Sequence, residues 1–158
     1  MMSLLASLDH SAFSAWLLGS NSIWAYPTVL TLHTFGMMVL VGAAAMIDVR
    51  LLGFGRGIPL GSIQALFPVM WGAFVLNTIT GTMLFVADAT KRGTSLIFIV
   101  KIALVALGVV TIVLIKRNLY GEVAEPVTVS GNTKLLAIFS LLAWSAAITA
   151  GRLLAYVT

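Results

Sequence analysis

The chain has 158 residues, 60% of them hydrophobic and only 9% charged, with a mean hydropathy of +1.08. A soluble domain typically carries about a quarter charged residues, so this composition excludes an ordinary soluble fold and points to a single transmembrane domain over residues 1–158. The net charge of +4 is spread along the chain, which fits loop orientation signals and not a nucleic-acid surface.

In chain order, residues 3–18 place Leu4, Leu5, Leu8, Ala12, Ala15 and Trp16 on one broad stripe, with Asp9 and Ser14 elsewhere. The run is short and moderately apolar, as in a helix lying in the membrane interface. It lacks a basic leading region and carries Asp9, so no cleaved signal peptide is expected. Gly19-Ser20-Asn21-Ser22 breaks it, and Trp24, Tyr26 and Pro27 open a first span over about 23–47. A second span is expected over about 64–87, a third over about 95–115 and a fourth over about 135–157. The polar run from Asp88 to Gly93 is short enough to make the second and third spans antiparallel neighbours. The longest polar loop, 120–132, holds Glu122, Glu125, Pro126 and Gly131. The expected fold class is therefore all-α: an integral membrane four-helix bundle with a short N-terminal interfacial helix.

Basic residues set the orientation. The first and third loops hold Arg50, Arg56, Lys116, Arg117 and Lys134, against Lys91, Arg92 and Arg152 on the other side, which puts both termini outside. His33 then lies about ten residues into its span, ~15 Å deep in a hydrocarbon layer of ~30 Å. An imidazole at that depth costs free energy unless partnered, which makes it a functional candidate. Asn77, Lys101, Thr149 and Arg152 fall in the same outer half of their spans, whereas the inner halves read as almost purely apolar. Polar side chains in lipid turn inward to find partners, so an outward-half pocket is expected. Each residue also has a plainer role. Lys101 can snorkel to the surface, Arg152 can anchor at the interface, Asn77 can bond helix to helix, and Trp144 and Trp71 can pack. His10 reads as an exposed interfacial residue, and Asp88 beside Lys91 and Arg92 as a solvated turn.

Gly53-Phe-Gly-Arg-Gly looks superficially like a phosphate loop, but a transmembrane helix precedes it instead of a strand, so it reads as a turn. There is no His-Glu-x-x-His, no acidic cluster and no nucleophile–base pair, so hydrolase chemistry is poorly supported.

Trp24-Ala-Tyr-Pro-Thr-Val, His33, Gly36 and Asp48-Val-Arg-Leu-Leu-Gly resemble an uncharacterised family of bacterial four-helix inner-membrane proteins. The likeness continues through Pro68, Thr80-Gly-Thr-Met-Leu-Phe, Phe98-x-x-Lys101, Trp144 and Ala150-Gly-Arg152. More distantly the chain looks like b-type cytochromes and copper-resistance D-type membrane proteins, which hold haem or metal through histidines inside helices. It departs from them in lacking several intramembrane histidines, and Leu30 stands where an acidic residue is expected three positions before the histidine.

These features lead to an expected redox subunit of the bacterial inner membrane, more an electron-transfer or accessory subunit than a stand-alone enzyme. One haem b would take His33 as its metal ligand, with its propionates toward Lys101 and Arg152. With no other intramembrane histidine, the second axial position would stay open or come from His33 of a second copy. The absence of cysteine excludes thiolate-held iron–sulfur clusters and covalent haem. Alternatively a quinone would sit between His33 and Lys101 beneath Trp144, with Asn77 close by. The competing expectation is a non-catalytic anchor or scaffold, partnered by lipid and by other membrane subunits or a homodimer. Transport is disfavoured, since the inner half shows no second relay group.

Overall fold

The computed structural model describes residues 2–19, 23–122 and 129–157, and among these every regular element is a helix. Four segments are long and apolar enough to cross a bilayer: 25–51, 60–86, 96–119 and 131–156. They correspond to α3 (Ala25–Leu51), α4 (Leu60–Gln64) with α5 (Leu66–Val86), α7 (Leu96–Glu122) and α8 (Gly131–Val157). The protein is thus an all-α four-helix membrane bundle, flanked by the short helices α1 (Met2–Asp9), α2 (Ala12–Gly19) and α6 (Ala89–Gly93).

The helices outrun the apolar stretches that predict them. A hydropathy run ends where charge begins, but hydrogen bonding continues into water, so α3 carries Arg50 and α7 carries Lys116 and Arg117 in its last turns. The expected interfacial helix 3–18 is two helices. Its break lies at His10-Ser11, where the Ser11 hydroxyl accepts the Ser14 amide at 3.2 Å and caps α2. Glu125 and Pro126 of the expected polar loop, and Ser20-Asn21-Ser22 before the first span, lie outside the described residues.

Side-chain burial follows lipid exposure. The spans bury only 17–33% of their most apolar windows, and the least buried, on α7, is also the most hydrophobic at 2.9. A helix apolar all round faces lipid on its outer side. α3 packs along α5 and α7 along α8, and a narrower α3–α8 seam joins the two pairs. The expected close pairing of the second and third spans is not what forms. α6 is a spacer helix in place of a turn, and α5 and α7 meet far less closely than α3 with α5 or α7 with α8. Phe85 and Phe98 stack at 5.2 Å where the two helices flank α6.

Two apolar clusters result. The larger fills the end of the bundle opposite α6, which we call the loop end, with Ile47, Leu51, Phe67, Met70, Ile115 and Ala137 among its buried members. The smaller lies at the α6 end, where Leu17 of α2 packs with Ala25, Val29, Leu84 and Ala87. The inner-half apolarity expected from sequence does not hold. Asp48, Thr133 and Ser140 are fully buried at the loop end and Thr111 is 4% exposed. The expected first span stops at about 47, just before Asp48, but α3 runs on to Leu51 and buries Asp48 completely while Arg50 stays half-buried.

Both ends are tied by specific hydrogen bonds. The 52–59 turn has Gly53 at φ 104° and Gly55 at φ 62°, conformations that favour glycine. Arg50 Nε donates to the Ile58 carbonyl at 2.9 Å and Arg56 Nε to the Gly53 carbonyl at 3.3 Å, so this is a braced turn. At the other end Asp9 accepts the backbone amides of Ala89 and Thr90, capping α6 from α1 across the surface. Bonding to Thr90, then to the Ala89 amide, holds the Asp9 carboxyl below the ordinary carboxylate range despite an opposing effect of burial. The Ser14 hydroxyl donates to the Ala87 carbonyl at 3.3 Å, and Leu5 covers Gly93.

Candidate functional site at the His33 level

Between the two apolar clusters lies one polar level. His33 projects from α3 onto α5, where its Nδ1 is 3.0 Å from the Thr80 hydroxyl. That hydroxyl has one proton, and the Leu76 carbonyl takes it at 2.8 Å. The network therefore assigns the Nδ1–H tautomer, with Nδ1 donating to Thr80 Oγ1 and the Nε2 lone pair left for a guest. Gly81 makes room for the ring: a Cβ there would stand 3.1 Å from His33 Cε1. One turn away, Gly36 lets the backbones approach, with a virtual Cβ 3.5 Å from the Ala73 carbonyl oxygen and the Asn77 nitrogen. Asn77 shares this level, its backbone beside the imidazole, and its Oδ1 is buried with no hydrogen-bond partner.

The other helix pair contributes cations. Lys101 leaves α7 and lays its stem over Gly151 of α8, whose virtual Cβ is 3.6 Å from Nζ. It therefore does not snorkel freely. It is close enough, with Arg92 of α6, to act electrostatically on His33. Arg92 is half-buried and its Nε is 3.8 Å from Asp88, a loose pair. The expected solvated turn at Asp88 is thus the start of a helix that aims Arg92 into the bundle.

The remaining sequence candidates lie apart. Trp144 is buried over Gly108, two turns deeper on α7 than Lys101, with its indole N–H unpartnered. Arg152 is exposed on the outer face of α8, and Thr149 returns its hydroxyl to the Ser145 carbonyl at 2.9 Å. Beside Lys101, a lipid-facing apolar groove runs between α7 and α8, lined by Ile97, Val100, Leu104, Ala146 and Ala150. Thr80, Gly81 and Arg92 were not singled out from sequence as partners of His33. The one local signal for two of them is a small polar residue followed by glycine inside a span.

Chemically, the level offers an imidazole with a free nitrogen, an amide oxygen lacking a donor, and an ammonium, drawn from α3, α5 and α7. Such a set grips a small polar head that both accepts and donates hydrogen bonds. A macrocycle is harder to place, because the α3–α5 seam closes at Gly36 and Gly81 around the ring. Among the described residues no three His, Cys, Asp or Glu side chains gather as a metal site. No family model, curated protein or solved structure matches the chain.

Proposed function

We propose that this chain is a small multi-pass subunit of a bacterial inner-membrane redox system and that it binds a quinone at the His33 level. The carrying observation is the convergence there of unused hydrogen-bonding capacity, above all the buried, partnerless Oδ1 of Asn77. Buried polar atoms are nearly always paired, so an orphan on the helix level that carries His33 suits a polar guest. The Lys101 ammonium would donate to one carbonyl oxygen of the head group. Asn77 Oδ1 and His33 Nε2 would accept from the hydroxyls of the reduced form. The bound quinone supplies reversible two-electron, two-proton chemistry; the protein's part is to orient the head, exclude water and hold a proton at His33.

The loose approach of α5 to α7 supports entry from the lipid, and the α7–α8 groove beside Lys101 suits an isoprenoid tail. Of the two cofactors expected from sequence, the closed α3–α5 seam favours quinone over haem b. The excess of Arg and Lys on the loop end supports placing both termini outside. A scaffold or anchor role, with lipid and other membrane subunits or a second copy on its apolar faces, is the alternative. It is supported by the broad exposed surface of Leu, Ile, Val and Phe.

The test is organic extraction of the purified protein with mass spectrometry, beside a dithionite-reduced absorption spectrum. Wild type should carry quinone near stoichiometry, lost in Lys101→Met and reduced several-fold in Asn77→Leu. Extracts free of quinone, with no binding of a short-chain analogue, would leave the scaffold role. A Soret band that vanishes in His33→Ala would instead establish haem.

A further inference from the structure

A second polar site lies at the loop end, well separated from the His33 level. Asp48 on α3 and His33 are fifteen positions apart on one helix, about 22 Å. The Asp48 carboxyl is 0% exposed, as is Ser140 across the α3–α8 seam. Neither carboxylate oxygen, nor the Ser140 hydroxyl, has a partner at hydrogen-bond geometry. Ser140 is nonetheless close enough to act on the carboxyl.

Among the described residues no charge answers this acid. On its own helix Arg50 is engaged by the Ile58 and Arg56 carbonyls. On α7, Lys116 sits over the Phe67 ring at 5.9 Å and Arg117 is exposed. On α8, Lys134 is exposed, and α4 and α5 carry no charged residue. The other buried hydroxyls of this end are engaged elsewhere: Thr133 with Ser130 at 2.9 Å and Asn118 at 3.3 Å, and Thr111 with the Gly108 carbonyl. The groups around Asp48 are otherwise apolar: Ala44, Ile47, Leu51 and Ala137 of the larger cluster.

An isolated carboxylate sealed among such groups is far costlier than the neutral carboxylic acid, which loses only the solvation of polar, uncharged atoms. Ala44, Ala137 and Ser140 on the α3–α8 seam are all at 0% exposure, and among the described residues no set of metal-ligating side chains gathers around Asp48, so the group suits a proton.

We propose that Asp48 and Ser140 form a buried proton-binding site at the α3–α8 seam. The carboxyl is held there as the neutral acid, its carbonyl oxygen facing the Ser140 hydroxyl. When the seam opens to water the acid O–H bond breaks, the proton passes to the entering water and the carboxylate is left hydrated. On closure the reverse takes place. The site is independent of quinone binding and stands or falls without it.

Infrared spectroscopy of the full chain in liposomes tests it, read at the C=O stretch of a protonated carboxylic acid. Wild type at neutral pH should show one such band in the low-polarity region. It should disappear in Asp48→Asn, which keeps the shape of the side chain, and move to higher frequency in Ser140→Ala, which removes the facing hydroxyl. As the pH is raised through neutrality into the alkaline range it should give way to carboxylate bands. Should Asp48→Asn fail to fold, the Ser140→Ala shift and the alkaline conversion still decide. A wild-type spectrum showing only carboxylate at neutral pH, or an acid band unmoved by both variants, overturns the proposal.

Discussion

At the level of single residues, glycines set where the polar chemistry can sit. Gly108 is the clearest case: a Cβ there would lie 2.7 Å from Trp144 Cε2, too close for either helix to keep its place. Gly108→Ala should therefore destabilise the bundle by about 1–3 kcal/mol, less whatever helix propensity returns. Denaturation by mixed micelles, followed through tryptophan emission, would measure it. Thr80→Val has a subtler effect. It keeps the shape beside His33 but removes the acceptor of its Nδ1 proton, at about 1 kcal/mol for one hydrogen bond. The imidazole is then free to change tautomer, so quinone retention should fall more than stability does. Equal retention by Thr80→Val and wild type would show that the tautomer does not matter to binding. His33 itself was legible in the sequence, because an ionisable group in an apolar run announces itself. Its partners were not, since Thr80 is 47 positions away and only the α3–α5 register brings it near.

At the level of elements, the four spans were legible because each is a long apolar run between polar stops, and lipid demands exactly that of a helix without lateral backbone partners. Which spans touch was not. Hydropathy is nearly uniform around α7, so the sequence carries little to say that α8 and not α5 is its neighbour. The burial of Asp48 was not legible for the same reason: two positions from Arg50, only the helical register separates a buried acid from a half-buried base. The short helices make their own prediction. Asp9 caps α6 as a carboxylate and is held below its usual range, so its contribution is present above the unfolded value near ~3.9 and fades as pH falls through the folded one. Hydrogen exchange at the Ala89 and Thr90 amides should accelerate at acid pH. Asp9→Ala should show that faster exchange already at neutral pH, with the four spans unchanged. Amides equally protected in variant and wild type would mean that α6 needs no cap from α1.

At the level of the whole molecule, the structure is two helix pairs joined along one seam, with polar sites at different depths: an imidazole and cations toward α6, an acid toward the loops. Orientation in the membrane can be read with single cysteines, since the natural chain has none. Lys91→Cys, on exposed α6, should react with an impermeant maleimide in intact cells. Phe54→Cys, 68% exposed in the braced turn, should react only after the membrane is opened. The opposite pattern would invert the topology and move the His33 level to the cytoplasmic half. Labelling of both from one side would contradict the four-span bundle.

The contact between Asp9 and the start of α6 bears on how the chain is made. The two partners are separated by two whole spans, so α1 leaves the ribosome long before its partner on α6 exists. It must wait at the bilayer surface until the second hairpin arm has been threaded and its terminus has emerged. Docking of α1 onto α6 therefore waits until the first two spans have been inserted, and it reports that they have been.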